Sequence, residues 1–219
     1  MEKLSVTIIT LNEEENIRDC LESVRWAEEV VVSDSGSSDG TVSICGEYDA
    51  RVFSDEWLGF GKQKNLCIDR ASHDWILNID ADERVTPGLR GEIERVVRAP
   101  SRGGKGRIDG YYIPRKNFFL GRWIRHGGWF PDYNLRLFRK GKGRFKEREV
   151  HEAVVVKGGV GYLKQPLEHY TYRSISGYLK RMDRYSTLAA REMLKRGRRA
   201  GFADLVFRPE LTFMKMYLL

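Results

Sequence analysis

Three clusters of acidic and polar residues come directly after short apolar runs: Thr10-Leu11-Asn12-Glu13, Asp34-Ser35-Gly36 and Asp80-Ala81-Asp82. In an open α/β sheet the carboxyl ends of the strands form the ligand-binding edge, so the three clusters predict one shared polar site. Carboxylates that meet there repel one another unless a cation or a ligand separates them. Asp80 and Asp82, with the small Ala81 between them, can direct oxygens toward one divalent ion. Hard carboxylate ligands favour Mg²⁺ or Mn²⁺, typically completed by the phosphates of a nucleotide.

Two cationic residues are candidates for a negatively charged ligand. Lys64 lies in Gly59-Phe60-Gly61-Lys62-Gln63-Lys64-Asn65, where the glycines permit close approach, although a solvated helix start fits the same spacing. Arg136 lies in the alternating segment 134–139 and either stabilises a leaving group or points outward from a strand. The chain contains no GxxxxGK[ST], and no GxGxxG follows its first strand, which argues against P-loop and dinucleotide-binding proteins.

The elements that must position these residues alternate between strand and helix. Short β-branched or apolar runs predict strands at Leu4–Thr10, Val30–Ser33, Arg51–Phe53 and Trp75–Ile79. Helical patterns follow them, with Asn12 as the N-cap of the first helix and Pro87 near the start of the last. This alternation predicts a parallel α/β sheet. Beyond the polar loop 99–107, alternating segments predict antiparallel additions to that sheet, at 110–116, 117–124, 134–139, 153–157 and 161–165.

The charge of the chain divides at about residue 100. Residues 1–100 hold 11 Lys and Arg against 21 Asp and Glu, a net charge of −10, whereas residues 101–219 hold 27 against 10, a net charge of +17. The acidic half suits a metal cation and the basic half suits anions. From Ser174 onward, apolar residues recur at helical spacing and basic residues occupy the rest. We therefore predict two parts, residues 1–172 and a basic amphipathic helical segment, 173–219.

Size and composition limit the class of protein. The 219 residues suit one domain, or a domain with an appendage. No apolar run approaches the roughly 20 residues of a membrane span, and the first ten residues lack a signal-peptide pattern. The three widely spaced cysteines suggest neither a disulfide framework nor a zinc site. These features predict a soluble, intracellular, cytoplasmic protein.

Taken together, the motifs resemble those of a known enzyme family. SVTIITLNEEENIRDCLESV, VVVSDSGSSDGT, GFGKQKN, DWILNIDADERV and a later VHE are similar to the family 2 glycosyltransferases with a GT-A fold, over about residues 3–185. The closest resemblance is to the lipopolysaccharide-core β-glucosyltransferase branch. It implies a Rossmann-like, mostly parallel sheet with antiparallel additions and helices on both faces. It also implies an inverting transfer of a sugar, glucose in this branch, from a UDP-sugar donor with a divalent metal, Mg²⁺ or Mn²⁺.

The resemblance implies a role for each matching residue. Thr10, Leu11, Asn12, Glu13 and Asp34 would hold the base and ribose of the nucleotide, with Lys64 beside it. Asp80 and Ala81 would contact the ribose and diphosphate, and Asp82 with His169 would bind the metal. Glu152, in Val150-His151-Glu152, matches the catalytic carboxylate. The usual Glu-Asp pair is His151-Glu152 here, so Glu149 remains an alternative base.

The partners follow from this assignment. An anionic glycolipid or glycan of the cell envelope is the expected acceptor, and a polyprenyl phosphate is an alternative acceptor class. Lys180, Arg184, Arg191 and Lys195 on the C-terminal helix predict peripheral contact with the inner membrane surface. A nucleic-acid-binding protein is a distant alternative, because basic and aromatic residues interleave after residue 110. No nucleic-acid partner is expected, since the acidic half repels phosphate and no nucleic-acid-binding module is recognisable.

Overall fold

A computed structural model describes residues 2–99, 107–146, 153–172, 174–195, 197 and 201–217. The chain divides into two compact units: Met1–Arg115 with Tyr133–His169, and Lys116–Asp132 with Tyr170–Leu219.

The strands are β1 Leu4–Thr10, β2 Glu29–Asp34, β3 Arg51–Ser54, β4 Trp75–Asp80, β5 Glu83–Val85, β6 Ile108–Phe119, β7 Arg122–Trp123, β8 Asp132–Arg139, β9 Gly143–Phe145, β10 Val154–Val156, β11 Gly159–Tyr162 and β12 Leu167–Tyr172. The helices are α1 Glu14–Val24, α2 Thr41–Glu47, α3 Phe60–Arg70, α4 Pro87–Arg98, α5 Ile175–Lys195 and α6 Phe202–Tyr217.

The main sheet has the strand order β3-β2-β1-β4-β8-β6-β12-β5, with β11 also paired to β6. The four strands β3, β2, β1 and β4 are parallel, as predicted from the alternating sequence. The chain crosses from one side of β1 to the other between β3 and β4, so β1 and β4 form a topological switch point. β8 joins β4 antiparallel, and β12 pairs antiparallel with β5.

Helices cover both faces of the sheet because the side chains of a strand alternate between its faces. On one face, Val6 and Ile8 of β1 belong to the apolar cluster that includes α1, α2 and α4. On the other face, Ile9 of β1 belongs to a second cluster with Cys67 and Ile68 of α3. This two-sided burial explains why β1 and β4 carry large apolar residues on both faces and are buried along nearly their whole length.

Three local predictions are wrong. The segment 153–157 is not an addition to the main sheet, because β10 pairs antiparallel with β9 in a separate two-stranded sheet. Asn12 is not the N-cap of α1: Glu13 precedes the helix, and Asn12 has a φ of 55° with its side chain bonded elsewhere. The segment predicted at 161–165 is not an antiparallel addition either: the strand there is β11, Gly159–Tyr162, and it pairs with β6 in parallel. The segments 110–116 and 117–124 form one long strand, β6, followed by the short β7. The strands β5 and β12 carry no clear alternation of apolar residues, so the sequence pattern does not predict them.

The second unit contains α5, α6 and a cluster of aromatic rings. Phe119 contacts Trp129, Tyr172 and Tyr178 edge to face, with ring centroids 5.3–6.5 Å apart. Within the described residues, no helix has the length and apolar character needed to cross a membrane. The division at residue 172 remains a prediction.

The first unit buries its three cysteines and the side chain of Glu29. Cys20, Cys45 and Cys67 are fully buried free thiols, and burial raises the pKa of Cys45 to about 11 and of Cys67 to about 12. Glu29, at the start of β2, has a side chain only 8% exposed. Burial alone would raise the pKa of Glu29, but bonds from Ser5, Ser72 and Arg51 lower it to about 2.

Candidate functional site

The candidate site lies at the carboxyl ends of the central strands. β1 places Thr10 opposite Asp34 on β2 and Ile9 opposite Asp80 on β4. Neighbouring strands are about 4.8 Å apart, so Asp34 and Asp80 flank the end of β1 at nearly the same level. The sequence clusters that were predicted to meet therefore do meet, at the switch point where open α/β sheets bind ligands.

The first two clusters form one hydrogen-bonded pair of loops. Asn12 Oδ1 accepts the Ser38 N–H at 2.8 Å, and the Asn12 N–H donates to Ser37 Oγ at 2.8 Å. Asp34 Oδ2 accepts the N–H groups of Gly36 and Ser37 at 3.0 and 2.9 Å. Asn12 and Asp34 thus shape the loops beyond β1 and β2. These loops lie where the two residues would need to be for the predicted contact with a nucleotide.

Polar atoms at this end of the sheet fit a polar ligand. Thr10 Oγ1 and Ser35 Oγ are buried and have no hydrogen-bond partner among the described residues. Buried hydroxyl groups are rarely left without partners, so this pair marks a place for hydrogen-bonding groups of a ligand. Leu11 is 48% exposed beside them, and the Glu13 N–H donates to Thr41 Oγ1 at 2.8 Å.

A buried cluster of charges surrounds Asp80. Lys64 Nζ lies 2.9 Å from Asp80 Oδ1, and Arg136 Nη2 donates to Asp80 Oδ2 at 2.6 Å. Burial alone would raise the pKa of Asp80, but Arg136 and Lys64 outweigh it and hold that pKa well below its usual value. Desolvation opposes the charge on Arg136, yet Asp80 and Glu83 raise the pKa of Arg136 above its usual value. The structure therefore brings together three predicted site residues, Lys64, Asp80 and Arg136.

Two residues of this cluster were not predicted as site residues. Glu83 Oε1 accepts from Arg136 Nη2 at 2.6 Å and lies 3.5 Å from Arg115 Nη1. Glu83 could have been suspected because it directly follows Asp82, whereas nothing in the sequence distinguishes Arg115 from the many other basic residues. Beside the cluster is a cavity of about 320 Å³, lined by Lys64, Asp80, Tyr112, Arg115, Tyr133, Asn134, Leu135, Arg136, Phe145, Ala153 and Val154.

Asp82 and His169 are also brought together. His169 Nε2 lies 3.4 Å from Asp82 Oδ2, and both side chains are 11% exposed. The buried Ala81 separates Asp82 from Asp80. A carboxylate and an imidazole that converge in this way suit a divalent ion whose remaining ligands come from a substrate and water. Among the described residues no group of three or more His, Cys, Asp or Glu side chains forms a potential metal site.

The predicted catalytic base lies outside this description. Glu152, its alternative Glu149 and the neighbouring His151 belong to residues 147–152, which are not among the described residues. Their assignment therefore remains a prediction from the sequence. The described residues on either side, Lys146 and Ala153, are joined by a hydrogen bond from the Lys146 N–H to the Ala153 carbonyl at 3.1 Å.

The mostly parallel sheet with this switch point, extended by antiparallel strands and covered by helices on both faces, matches the GT-A fold that the sequence motifs implied. A family model described as glycosyl transferase family 2 matches residues 5–171, and the chain belongs to this family. The chain is therefore a glycosyltransferase.

Relatives and solved structures agree with this class. The chain is 34% identical to the lipopolysaccharide core biosynthesis glycosyltransferase LpsC of Rhizobium meliloti, over 98% of this chain and 80% of LpsC. It is 32% identical to an uncharacterized glycosyltransferase of Rickettsia felis, over 99% of this chain and 79% of the relative. The crystal structure of S. aureus TarS 1–349 in complex with UDP has a TM-score of 0.54 at 17% identity, covering 81% of this chain and 62% of that one. This last likeness concerns the fold.

Proposed function

We propose that the chain transfers glucose from UDP-glucose to a hydroxyl group of a lipopolysaccharide-core or related cell-envelope glycan, with inversion at the anomeric carbon. The observation that carries the proposal is the arrangement at the switch point. There Asp80 is held between Lys64 and Arg136, and Asp82 faces His169. The acceptor class is taken from the name of LpsC, which is 34% identical.

The donor nucleotide is assigned to the carboxyl ends of β1, β2 and β4. The unpartnered hydroxyl of Thr10 and the loop atoms of Leu11, Asn12 and Glu13 would contact the base and ribose, together with Asp34. Lys64 and Arg136 would lie near the diphosphate, because both already face the Asp80 carboxylate. A positive group placed where negative charge develops on the departing UDP stabilises the transition state.

Asp82 and His169 are the residues that would hold a divalent cation, with Mg²⁺ or Mn²⁺ suited to the carboxylate. Such an ion supplies charge stabilisation to the leaving diphosphate. Asp82 Oδ2 and His169 Nε2 lie 3.4 Å apart, close enough for one ion to contact both.

The transfer step needs a base for the acceptor. In our proposal Glu152 takes the proton from the acceptor hydroxyl. The oxygen of that hydroxyl bonds to the anomeric carbon as the bond between this carbon and UDP breaks. Attack on the face opposite UDP gives the inverted product. Glu149 is the alternative base, and a carboxylate within hydrogen-bond reach of the hydroxyl can fill this role.

The proposal is tested by screening nucleotide sugars. Slow hydrolysis of the donor by water should release UDP from UDP-glucose faster than the matching nucleotide from GDP-sugars, because the loops beyond β1 and β2 are assigned to uracil and ribose. Release is measured by coupled nucleotide detection, with heat-denatured protein as the control. Preference for a GDP-sugar would contradict the assignment of the donor. Transfer to a polyprenyl phosphate, but not to core oligosaccharide, would move the acceptor to the alternative class.

We also propose that the C-terminal helices place the enzyme on the cytoplasmic face of the inner membrane. Lys180, Arg191 and Lys195 of α5 are exposed, and α6 exposes large apolar side chains, including Phe202 at 82% and Leu205 at 70%. Exposed apolar groups beside basic ones fit an interfacial helix rather than a helix packed in a core. Each basic residue near an anionic surface contributes about 1 kcal/mol, and salt weakens this attraction.

Liposome sedimentation tests this membrane contact. The chain should sediment with liposomes that contain anionic lipid, less so as salt is added, and changing Lys180, Arg191 and Lys195 to Ser should weaken the binding. A matched control removes three exposed arginines of the first unit, Arg25, Arg95 and Arg98, and should bind as the wild type does. Equal retention on neutral liposomes would contradict the proposal, as would no binding to anionic liposomes at low salt.

A further inference from the structure

We infer that Glu83 is a positioning residue of the donor site, whose buried carboxylate fixes both the turn carrying Asp80 and Asp82 and the guanidinium of Arg136. The inference rests on the proposed function, since it concerns the same site. The Glu83 side chain is 0% exposed, and both of its carboxylate oxygens have partners.

The first contact of Glu83 is with the backbone of the turn. Its Oε2 accepts the Asp80 N–H at 2.9 Å, across three residues. A hydrogen bond to an ionised carboxylate is about twice as strong as one between neutral groups. The bond closes the turn from Asp80 to Glu83, so it fixes the backbone from which both aspartate side chains project.

The second contact is with the arginine that faces Asp80. Arg136 Nη2 lies 2.6 Å from Asp80 Oδ2 and 2.6 Å from Glu83 Oε1, so one nitrogen serves two carboxylates. Because a guanidinium group is planar and rigid, a bond to one carboxylate fixes the orientation in which it meets a second carboxylate. Glu83 therefore sets the direction from which Arg136 approaches Asp80.

The strand pairing extends this control to the proposed metal ligands. Glu83 begins β5 and lies opposite His169 in the antiparallel pair with β12. Asp82 immediately precedes Glu83, and His169 Nε2 lies 3.4 Å from Asp82 Oδ2. Glu83 thus contacts the turn and Arg136 and is the strand partner of His169, and all three belong to the proposed donor site.

A neutral side chain of the same length cannot replace these contacts. A Gln amide has one acceptor oxygen and one donor NH₂ group. If the Gln oxygen accepts from the Asp80 N–H, the Gln NH₂ group faces the guanidinium donors of Arg136. If the Gln oxygen instead accepts from Arg136, the Gln NH₂ group faces the Asp80 N–H. In the first case the buried Arg136 loses a partner, and in the second the Asp80 N–H loses its acceptor.

Glu29 offers a matched control for this change. Like Glu83 it begins a strand, is almost fully buried, accepts a backbone N–H, from Ser72 at 2.7 Å, and pairs with an arginine, Arg51. It lies at the opposite end of β2 from Asp34. Glu29→Gln should therefore lower the thermal stability of the fold without disturbing the turn at Asp80.

The test measures UDP binding in the presence of Mn²⁺ by calorimetry, together with the melting temperature. Glu83→Gln should raise the Kd for UDP by about 10–100-fold, the range found when groups that orient metal ligands are removed. Glu29→Gln should leave that Kd within about twofold of the wild-type value, because distant sites act independently. Both variants should melt at a lower temperature than the wild type.

The outcomes separate this inference from the proposed function. Absence of UDP binding by the wild-type chain contradicts the proposed function and the inference with it. A wild-type chain that binds UDP, with Kd unchanged in Glu83→Gln or raised equally in both variants, overturns the inference alone. If Glu83→Gln does not fold, Glu83→Asp carries the same expectation. It keeps the charge, but its shorter side chain cannot reach both the Asp80 N–H and Arg136.

Discussion

Replacing Glu152 by Gln is expected to lower turnover by about 10²–10⁴-fold, the usual contribution of a positioned general base. The amide keeps the size of the side chain but cannot accept the proton of the acceptor hydroxyl. The affinity for UDP should remain nearly intact, because the donor is assigned to the separate strand ends at Thr10, Asp34 and Asp80. Initial rates with saturating donor, and UDP binding by calorimetry, measure the two quantities.

Glu149→Gln is the matched control for this result, since it makes the same change three positions earlier in the chain. It should retain most of the turnover. If Glu149→Gln is the inactive variant and Glu152→Gln is active, the base is Glu149 and the match of Val150-His151-Glu152 to the family motif is wrong. Loss of UDP binding in Glu152→Gln would instead assign this residue to the donor site.

Replacing Asp82 by Ala should abolish the strengthening of UDP binding by Mn²⁺ or Mg²⁺. Among the described residues the proposed ion has two protein ligands, Asp82 and His169, and it would depend on the diphosphate for further ligands. We therefore expect weak metal binding without nucleotide, and UDP binding that is strengthened by the metal in the wild type. Calorimetric titration of UDP, with each metal and with EDTA, measures this dependence.

Two further variants define the expected pattern. His169→Ala should reduce the metal effect, because the ion then keeps one of its two protein ligands. Asp19→Ala removes an exposed carboxylate that pairs with Arg84, and it should leave the metal effect unchanged. If EDTA does not alter UDP binding by the wild type, the assignment of Asp82 and His169 as metal ligands is wrong.

The sequence predicted the parallel part of the fold because its central strands, β1 and β4, are buried on both faces. Leu4–Thr10 and Trp75–Asp80 are therefore short runs dominated by β-branched and other apolar residues, which is the pattern of a buried strand. β5 and β12 were missed because both carry charged or aromatic residues at most positions, and β5 has only three residues. Their pairing depends on contacts between residues 83–85 and 167–169, which local patterns do not record.

The residues of the candidate site were easier to predict than their arrangement. Polar groups at strand ends identified Asp80 and Asp82, since the topology of an α/β sheet places them at one edge. The sequence was equally compatible with an outward-pointing Arg136 side chain, because an alternating pattern does not show which face of the strand is buried. Only the antiparallel pairing of β8 with β4 brings that buried arginine to Asp80, 56 residues away. Asn12 was assigned to a helix cap from its position before α1, but its contacts with Ser37 and Ser38 across the loops override that local preference.

The complete burial of Cys20, Cys45 and Cys67 makes the native chain suitable for site-directed labelling. Maleimides and iodoacetamide react with exposed thiolates, and all three thiols of this chain are inaccessible, with pKa values raised by burial. A cysteine introduced at Thr187, which is exposed on α5, would therefore be the one accessible thiol of the folded protein. A polarity-sensitive fluorophore attached there would report the surroundings of α5 without prior removal of the natural cysteines.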